Sequence, residues 1–135
     1  MINTRFSVAI HIISLIASNP NEQMSSEWIA GSVNTNPVVI RRIIGLLKKA
    51  NIVRTSQGIA GVELVKCPSE TTLLEIYNAV IHQDELFSMH EKPNVACPVG
   101  RNIQKALDVT FGEAQEAIEK VLAEKTVSDI IDDMQ

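Results

Sequence analysis

Residues 36–53 read NPVVIRRIIGLLKKANIV, and this stretch decides the fold. Asn36 suits the N-cap of a helix, and Pro37 suits its first position, where a missing N–H costs no hydrogen bond. The stretch therefore predicts a helix over residues 37–50. Its apolar residues recur with the i, i+3, i+4, i+7 spacing of one buried stripe, at Ile40, Ile43, Ile44 and Leu47. The opposite face carries Val38, Arg41, Arg42, Gly45, Lys48 and Lys49.

Two further helices are predicted before this one. Residues 4–17 are apolar on almost every side, which indicates a helix that lies buried between other elements. A second helix is expected over residues 26–33, with Ser25 or Ser26 as its N-cap. The residues predicted for its inner face are Trp28, Ile29 and Val33.

A short hairpin is predicted after the third helix. Residues 52–55 and 62–65 are typical of two short strands, joined by the turn at residues 56–61. Three helices followed by such a hairpin, the wing, form a winged helix-turn-helix. In this arrangement the third helix can enter the major groove of DNA, and the wing can reach the minor groove or the backbone.

The second half of the chain predicts a long helix that needs a partner surface. A helix over residues 70–82 and a loop over 83–98 lead into a long helix over 99–124, and a short helix should begin after Thr126. Along the long helix a seam repeats in steps of four and three, as in a coiled coil, at Ile103, Leu107, Thr110, Ala114, Ala117 and Val121, with Ile118 beside it. A second copy of the chain is the simplest partner. The candidate dimer-interface residues are Ile103, Leu107, Thr110, Ala114, Ile118 and Val121.

The charges of the chain are unevenly distributed. The sequence has 12 Lys and Arg against 16 Asp and Glu, a formal net charge of −4. Residues 1–66, however, hold seven of the basic side chains and three of the acidic ones. A basic first half suggests contact with a polyanion such as nucleic acid. The alternative is a chance segregation of solvated charges.

Composition and motifs exclude several classes of protein. With 135 residues, 45% of them hydrophobic, the chain fits one domain, or one small domain with an appendage. No apolar run reaches the roughly 18 residues of a membrane helix, and the N-terminus has no signal-peptide pattern. The two cysteines form no CxxC pair, which predicts a cytoplasmic protein without a structural zinc site. No catalytic triad, phosphate loop or dinucleotide motif is present, so no enzymatic activity is expected.

Several segments resemble one bacterial family. The helix-to-wing stretch 36–53 is joined by the wing glycines Gly58 and Gly61, by residues 97–104 (CPVGRNIQ) and by residues 126–130 (TVSDI). Together they make the whole chain similar to the Rrf2 family of winged helix-turn-helix transcription regulators, and to its YwnA-like branch in particular. The resemblance implies a homodimeric repressor, joined through the long helix, that reads a palindromic operator in double-stranded DNA.

The resemblance also assigns candidate DNA contacts. The residues that match the family's base-reading region are Thr35, Asn36, Val38, Val39, Arg41 and Arg42. Arginine can offer guanine a pair of hydrogen bonds, so Arg41 and Arg42 are the best candidates, although one exposed salt bridge would also explain them. Candidate phosphate contacts are Lys48, Lys49 and Arg54, for which a solvated helix end is the alternative. At the wing tip, beside Gly58, Gln57 stands where the family often has an arginine.

Cys97 is the candidate sensor residue. Cluster-binding members of the family carry three cysteines in the loop before the long helix, whereas this chain has Cys97 alone there, so no iron–sulfur cluster is expected. A helix N-terminus, with Arg101 one turn further on, would stabilise its thiolate and favour oxidation. The alternative is a small buried hydrophobic side chain. The spacings of His82, His90 and Cys97 match no zinc site, and no metal is predicted.

The predicted protein is mainly α-helical with a small β-hairpin wing. It divides into a winged-helix DNA-binding domain at residues 1–82, a sensor loop at 83–98, and a dimerisation helix with a C-terminal helix at 99–135. Two other functions stay open. The winged helix could bind a protein instead of DNA, or the regulator could bind a metabolite in an apolar pocket under residues 72–90.

Overall fold

The computed structural model describes residues 4–55, 61–82, 87 and 93–135. In chain order its elements are α1 (Arg5–Ser18), α2 (Ser26–Val33), α3 (Pro37–Lys49), β1 (Val53–Arg54), β2 (Glu63–Leu64), a 3-10 turn (Pro68–Glu70), α4 (Leu73–Val80), α5 (Pro98–Ala123) and α6 (Val127–Asp133). The described chain is mainly helical with a two-stranded antiparallel hairpin, as predicted.

Local caps set where α2 and α3 begin and end. The Ser25 hydroxyl accepts a hydrogen bond from the backbone N–H of Trp28 at 3.1 Å and begins α2. Asn34 ends α2 in the left-handed conformation, at φ 64°. The Asn36 side chain then accepts a hydrogen bond from the Val38 N–H at 2.7 Å, and α3 begins. These contacts confirm the predicted helix-turn-helix, because each residue stabilises the local conformation that its position requires.

The hydrophobic core brings α1, α3 and α4 together. In α3, Ile40, Ile43 and Leu47 are each at most 1% exposed, as their spacing predicted. Burying one such side chain contributes roughly 1.5–3 kcal/mol, so this stripe fixes which face of α3 points inward. Contacts of α1 with α2, α3, α4, α6 and β2 agree with a helix that is apolar almost all round. Other fully buried aliphatic side chains are Ile12, Ile13, Ile29, Val53, Ile76 and Val127.

The wing is anchored to the rest of the domain at its base. Val53 of β1 lies opposite Leu64 of β2, and Val53 is 2% exposed. Gly61 has φ 93°, and a Cβ at this position would lie 3.2 Å from the backbone nitrogen of Met24. A glycine is therefore needed where the returning strand passes the segment before α2, both for its conformation and for the close approach.

Two adjacent capping boxes attach the second half to the first. The Thr72 hydroxyl accepts the N–H of Glu75 at the start of α4, and the Thr126 hydroxyl accepts the N–H of Asp129 at the start of α6, both at 3.2 Å. In each box the carboxylate accepts the threonine N–H in return. The two threonines also pair in an antiparallel bridge. This arrangement fixes the end of α5 beside the start of α4 and places Val127 in the core.

The long helix α5 packs on α4 with only part of its surface. The Gln115 amide donates a hydrogen bond to the Tyr77 hydroxyl at 3.3 Å. The ring of Phe111 stacks on that of Phe87, with centroids 5.0 Å apart. None of the 26 residues of α5 is fully buried. The helix begins at Pro98, one residue before the predicted start.

The inner face predicted for α2 was wrong at Trp28. Its side chain is 52% exposed, whereas Ile29 and Ala30 are buried and Val33 is half-buried against the core. Successive helix positions are rotated by about 100°. In a helix of eight residues, apolar spacing alone does not decide which of two neighbouring apolar side chains faces inward.

Because Ile29 is buried and Trp28 is exposed, we expect substitutions at these two adjacent residues to lower the free energy of unfolding by unequal amounts. We expect Ile29→Ala to lower the free energy of unfolding by about 2–5 kcal/mol, because it leaves a cavity in the core. Trp28→Ala should cost less than about 1 kcal/mol, because the side chain is already half in water. Urea unfolding followed by circular dichroism, at one protein concentration, measures both. Equal losses in the two variants would contradict the placement of Trp28.

Candidate nucleic-acid interface

The outward face of α3 is cationic because its apolar face is held in the core. Arg41, Arg42, Lys48 and Lys49 are all exposed, and Val38 is 51% exposed at the start of the helix. Within the described ranges, no acidic side chain lies within ion-pair distance of Arg42, Lys48 or Lys49. We use the name α3 face for the five residues Val38, Arg41, Arg42, Lys48 and Lys49. This face combines four exposed positive charges with one apolar side chain.

The remaining predicted base-reading residues lie at the start of α3. Asn36 is exposed, but its side-chain oxygen is engaged by the N–H of Val38. Thr35 is half-buried and donates its backbone N–H to the Ala30 carbonyl at 3.0 Å. Val39 is half-buried and packs against the core. The structure therefore places Thr35 and Asn36 next to the α3 face in the chain, whereas Val39 lies apart from it.

One arginine of the α3 face has an acidic partner on the neighbouring helix. Arg41 donates from Nη1 to the Glu27 carboxylate at 3.2 Å, and the two side chains are 54% and 69% exposed. Glu27 lies in the first turn of α2. Sequence reasoning missed this residue, because 14 positions separate it from Arg41 and only the packing of α2 on α3 joins them.

A groove lies between the start of α2, the α3 face and the base of the wing. It has a volume of about 330 Å³. Its polar lining includes Arg41, Lys48 and the hydroxyl-bearing residues Ser25, Ser26 and Thr55. Two cations and several hydroxyl groups are the donors that phosphate oxygens accept from. The groove thus extends the chemistry of the α3 face towards the wing.

The wing contributes one more predicted cation. Arg54 is exposed at the end of β1, and its Nε donates to the Glu63 carboxylate across the hairpin at 2.8 Å. This exposed pair partly neutralises Arg54 in the free protein. Gln57 and Gly58, predicted for the wing tip, lie outside the described residues.

An apolar stripe runs along the solvent side of α5. Val99, Ile103 and Val121 are 65%, 39% and 59% exposed, and Thr110 on the same face is also exposed. The other predicted interface residues, Leu107, Ala114 and Ile118, are half-buried. At about 100° per residue, they lie between the exposed stripe and the side of α5 that carries Phe111 and Gln115, which contact the chain's own body. The predicted seam therefore extends from the exposed stripe towards the side of the helix that packs on the chain itself.

Cys97 is exposed at the N-cap of α5, so the alternative of a buried hydrophobic side chain was wrong. The backbone N–H groups of Gly100 and Val99, in the first turn of α5, favour the thiolate and hold the pKa of the Cys97 thiol below its ordinary value. Gly100 also allows a close approach, because a Cβ there would collide with the Asn94 carbonyl oxygen. The shift thus comes from the helix N-terminus and not from Arg101.

The described part of residues 72–90 lines two open grooves beside α4, of about 460 and 300 Å³. One is bordered by the ion pair of Lys66 with Glu75, at 2.6 Å, and the other by Lys49 and Asn78. The first groove thus has a charged rim, whereas the second is lined largely by apolar side chains such as Leu46, Val80 and Ile81 and keeps the apolar character expected of a metabolite pocket.

Among the described residues, no three His, Cys, Asp or Glu side chains lie close enough together to hold a metal ion. No helix formed by these residues is long and apolar enough to cross a membrane.

Comparison with known families gives one assignment over almost the whole chain. The model of the Rrf2 family, described as iron-dependent transcriptional regulators, matches residues 2–133. A curated relative, YwnA of Bacillus subtilis (strain 168), is 55% identical over 131 residues, which cover 97% of each chain. That relative is named as a candidate HTH-type transcriptional regulator.

Solved structures of other proteins share the fold of this chain. A crystal structure described as that of a candidate DNA-binding protein is 48% identical, with a TM-score of 0.77, and the match covers 94% of this chain and 98% of the other. The global cysteine regulator CymR (YrzC) of B. subtilis is 19% identical, with a TM-score of 0.70 over 98% of this chain and 96% of its own. At that identity the similarity to CymR concerns the fold alone.

Proposed function

This chain belongs to the Rrf2 family of transcriptional regulators, and from this premise we propose that it represses transcription by binding a DNA operator as a homodimer. The α3 face is the observation that carries the proposal. It presents four exposed cations on one helix of the winged helix-turn-helix, in a protein whose net charge is −4. A polyanion is the partner that such a local concentration of positive charge attracts.

In the proposed complex α3 lies in the major groove, which is wide enough for a helix. Arg42 and Arg41 contact guanine edges or phosphates, and exposed Val38 can pack on a thymine methyl group. Thr35 and Asn36 contact DNA from the start of the helix. Because Val39 packs against the core, we give it a positioning role instead of a direct contact.

Phosphate contacts orient the protein on the duplex. Lys48 and Lys49 at the end of α3, with Arg54 at the wing base, supply cations for them. In the groove between the start of α2 and the wing base, Lys48 and the hydroxyl groups of Ser25, Ser26 and Thr55 can hold one phosphate group. Gln57 and Gly58 at the wing tip complete the proposed contacts, with Gln57 offering an amide in place of a charge.

The apolar stripe of α5 is proposed to join two copies of the chain. Ile103, Thr110 and Val121 would meet the same residues of the second copy, with Leu107, Ala114 and Ile118 at the margin of the interface. A two-fold dimer matches a palindromic operator whose half-sites lie about one helical turn apart. We propose that residues 1–82 read DNA, that residues 83–98 form the sensor loop, and that residues 99–135 mediate dimerisation. As a regulator of bacterial DNA, the protein would act in the cytoplasm.

Cys97 is proposed as the sensor. It is exposed at the N-terminus of α5, two residues before Val99 of the dimer stripe. Its thiolate would attack hydrogen peroxide, forming an S–O bond as the O–O bond breaks. The sulfur becomes a sulfenic acid, and the hydroxide that leaves takes a proton from solvent to give water. The added oxygen would stand at the N-terminus of α5, beside the start of the apolar stripe, and would there disturb the packing of the dimer.

The family is described as iron-dependent, but this chain has few cysteines that could bind an iron–sulfur cluster. Cys97 is the one cysteine in the loop before α5, and Cys67 lies beyond the wing, at the 3-10 turn. An iron–sulfur cluster usually takes four protein ligands. The described residues therefore do not fit a cluster, and the proposed mechanism uses none.

Two substitutions on α3 should separate base reading from phosphate contact. We expect Arg42→Ala to weaken binding to the operator by about 1–3 kcal/mol and to relax its sequence preference. Lys49→Ala should weaken binding to all sequences alike and reduce the salt slope by about one. Fluorescence anisotropy on duplexes from upstream of the protein's own gene, and on scrambled duplexes, measures both across salt concentrations.

Lys105→Ala, at an exposed position of α5, is the matched control and should bind both kinds of duplex as the wild type does. Equal and weak wild-type binding to operator and scrambled duplexes would contradict the proposal. A winged helix that binds a protein would then be the better account.

A pair of valines on α5 tests the dimer. Val121 and Val109 are 59% and 62% exposed, but only Val121 lies on the apolar stripe. We expect Val121→Asp to convert the dimer to monomers, because it would bury a charge in the interface. Val109→Asp should leave the dimer intact. Sedimentation equilibrium gives the masses, and the same mass for both variants would refute this interface.

The lowered pKa of Cys97 predicts its reactivity. With the pKa lowered, a larger fraction of Cys97 is thiolate, at any pH below about 8.5, than of an ordinary thiol with a pKa of about that value. Alkylation of the Cys67→Ser protein by iodoacetamide should therefore stay fast as the pH falls below that value. Hydrogen peroxide should weaken DNA binding of this variant and leave Cys97→Ser unaffected. An identical response of the two variants would exclude Cys97 as the sensor.

A further inference from the structure

The ion pair between α2 and α3 has a consequence for DNA recognition. We propose that Glu27 determines sequence specificity by positioning Arg41, an inference that rests on the proposed DNA-binding function. The Glu27 carboxylate holds Nη1 of Arg41 at 3.2 Å. Within the described ranges, Arg42 on the same face has no acidic side chain within ion-pair distance. Of these two candidate base-reading arginines, Arg41 is thus the one with a carboxylate partner.

Fold stability does not account for this pair. The side chains of Arg41 and Glu27 are 54% and 69% exposed. Ion pairs with this exposure contribute little to folding, because water and salt screen them. Both helices also have other anchors, with Ile29 and Ile40 fully buried. The pair can therefore be broken without loss of the fold.

The geometry suits a positioning role. Glu27 lies in the first turn of α2, where the helix dipole interacts favourably with a negatively charged side chain. Arg41 lies on the α3 face and borders the groove towards the wing. The guanidinium group has five N–H donors in one plane, and the carboxylate engages Nη1. The donors that remain can still form the paired hydrogen bonds that guanine accepts.

Glu27 would act on specificity in two ways. It restricts the rotation of the long Arg41 side chain, so less entropy is lost when Arg41 meets a base. Its negative charge also repels a phosphate that approaches Arg41, which penalises DNA backbone contacts that carry no sequence information. The restricted rotation of Arg41 strengthens binding to the correct sequence. The repulsion of phosphate weakens binding to incorrect sequences.

The experiment selects DNA from a randomised duplex pool with four full-length proteins. These are the wild type, Glu27→Gln, Arg41→Lys and the control Glu70→Gln, which removes an exposed charge from the 3-10 turn. Arg41→Lys marks the base position that Arg41 reads, because lysine lacks the paired donors. We expect Glu27→Gln to lose about tenfold in base discrimination at that same position. It should also bind scrambled duplexes more tightly than the wild type does. Glu70→Gln should select the wild-type motif.

The outcomes separate the inference from the function on which it rests. If the wild type selects a motif and Glu27→Gln keeps full preference at the position that Arg41→Lys relaxes, the inference is overturned and DNA binding stands. The same holds if Arg41→Lys relaxes no position. A wild type that selects no motif overturns both. Thermal unfolding by circular dichroism monitors folding, and Glu27→Ala, which removes the contact entirely, should relax the same position.

Discussion

Burial of Ile40, Ile43 and Leu47 against α1 and α4 is the constraint on which the rest of the structure depends. Once one face of α3 is held in the core, its opposite face must point to solvent. The cap at Asn36 fixes where the helix begins and hence which residues reach each face. The wing follows directly, because Val53 of β1 enters the same core. A DNA-binding surface thus arises from a packing requirement combined with the distribution of charge along one helix.

The fold also separates the charges of an acidic protein. Residues 1–66 hold seven of the 12 basic side chains, and four of those seven lie on the outward face of α3. Such local concentration allows a protein of net charge −4 to approach DNA with one surface. Two acidic side chains lie beside this surface, and each forms an exposed ion pair with an arginine. DNA phosphates can compete with Glu63 for Arg54, whereas in the proposed complex Glu27 keeps its contact with Arg41.

Features set by neighbouring residues could be predicted from the sequence, whereas features set by packing could not. The start of α3 follows from Asn36 and its proline, which act within one helical turn. The exposure of Trp28 could not be predicted, because two turns of helix leave the inward direction open. The pairing of Glu27 with Arg41 depends on how α2 packs on α3. On α5, spacing predicted one seam, but in the fold Ile103 and Val121 are exposed whereas Leu107 and Ile118 are half-buried.

The central claim is that two α3 helices read DNA from the major groove. Methylation of guanine N7 by dimethyl sulfate tests it most directly, because N7 is exposed only in that groove. On a bound palindromic duplex the account predicts two protected patches, centred about 10 base pairs apart. A saturated complex in which every guanine N7 stays as reactive as in free DNA would contradict it.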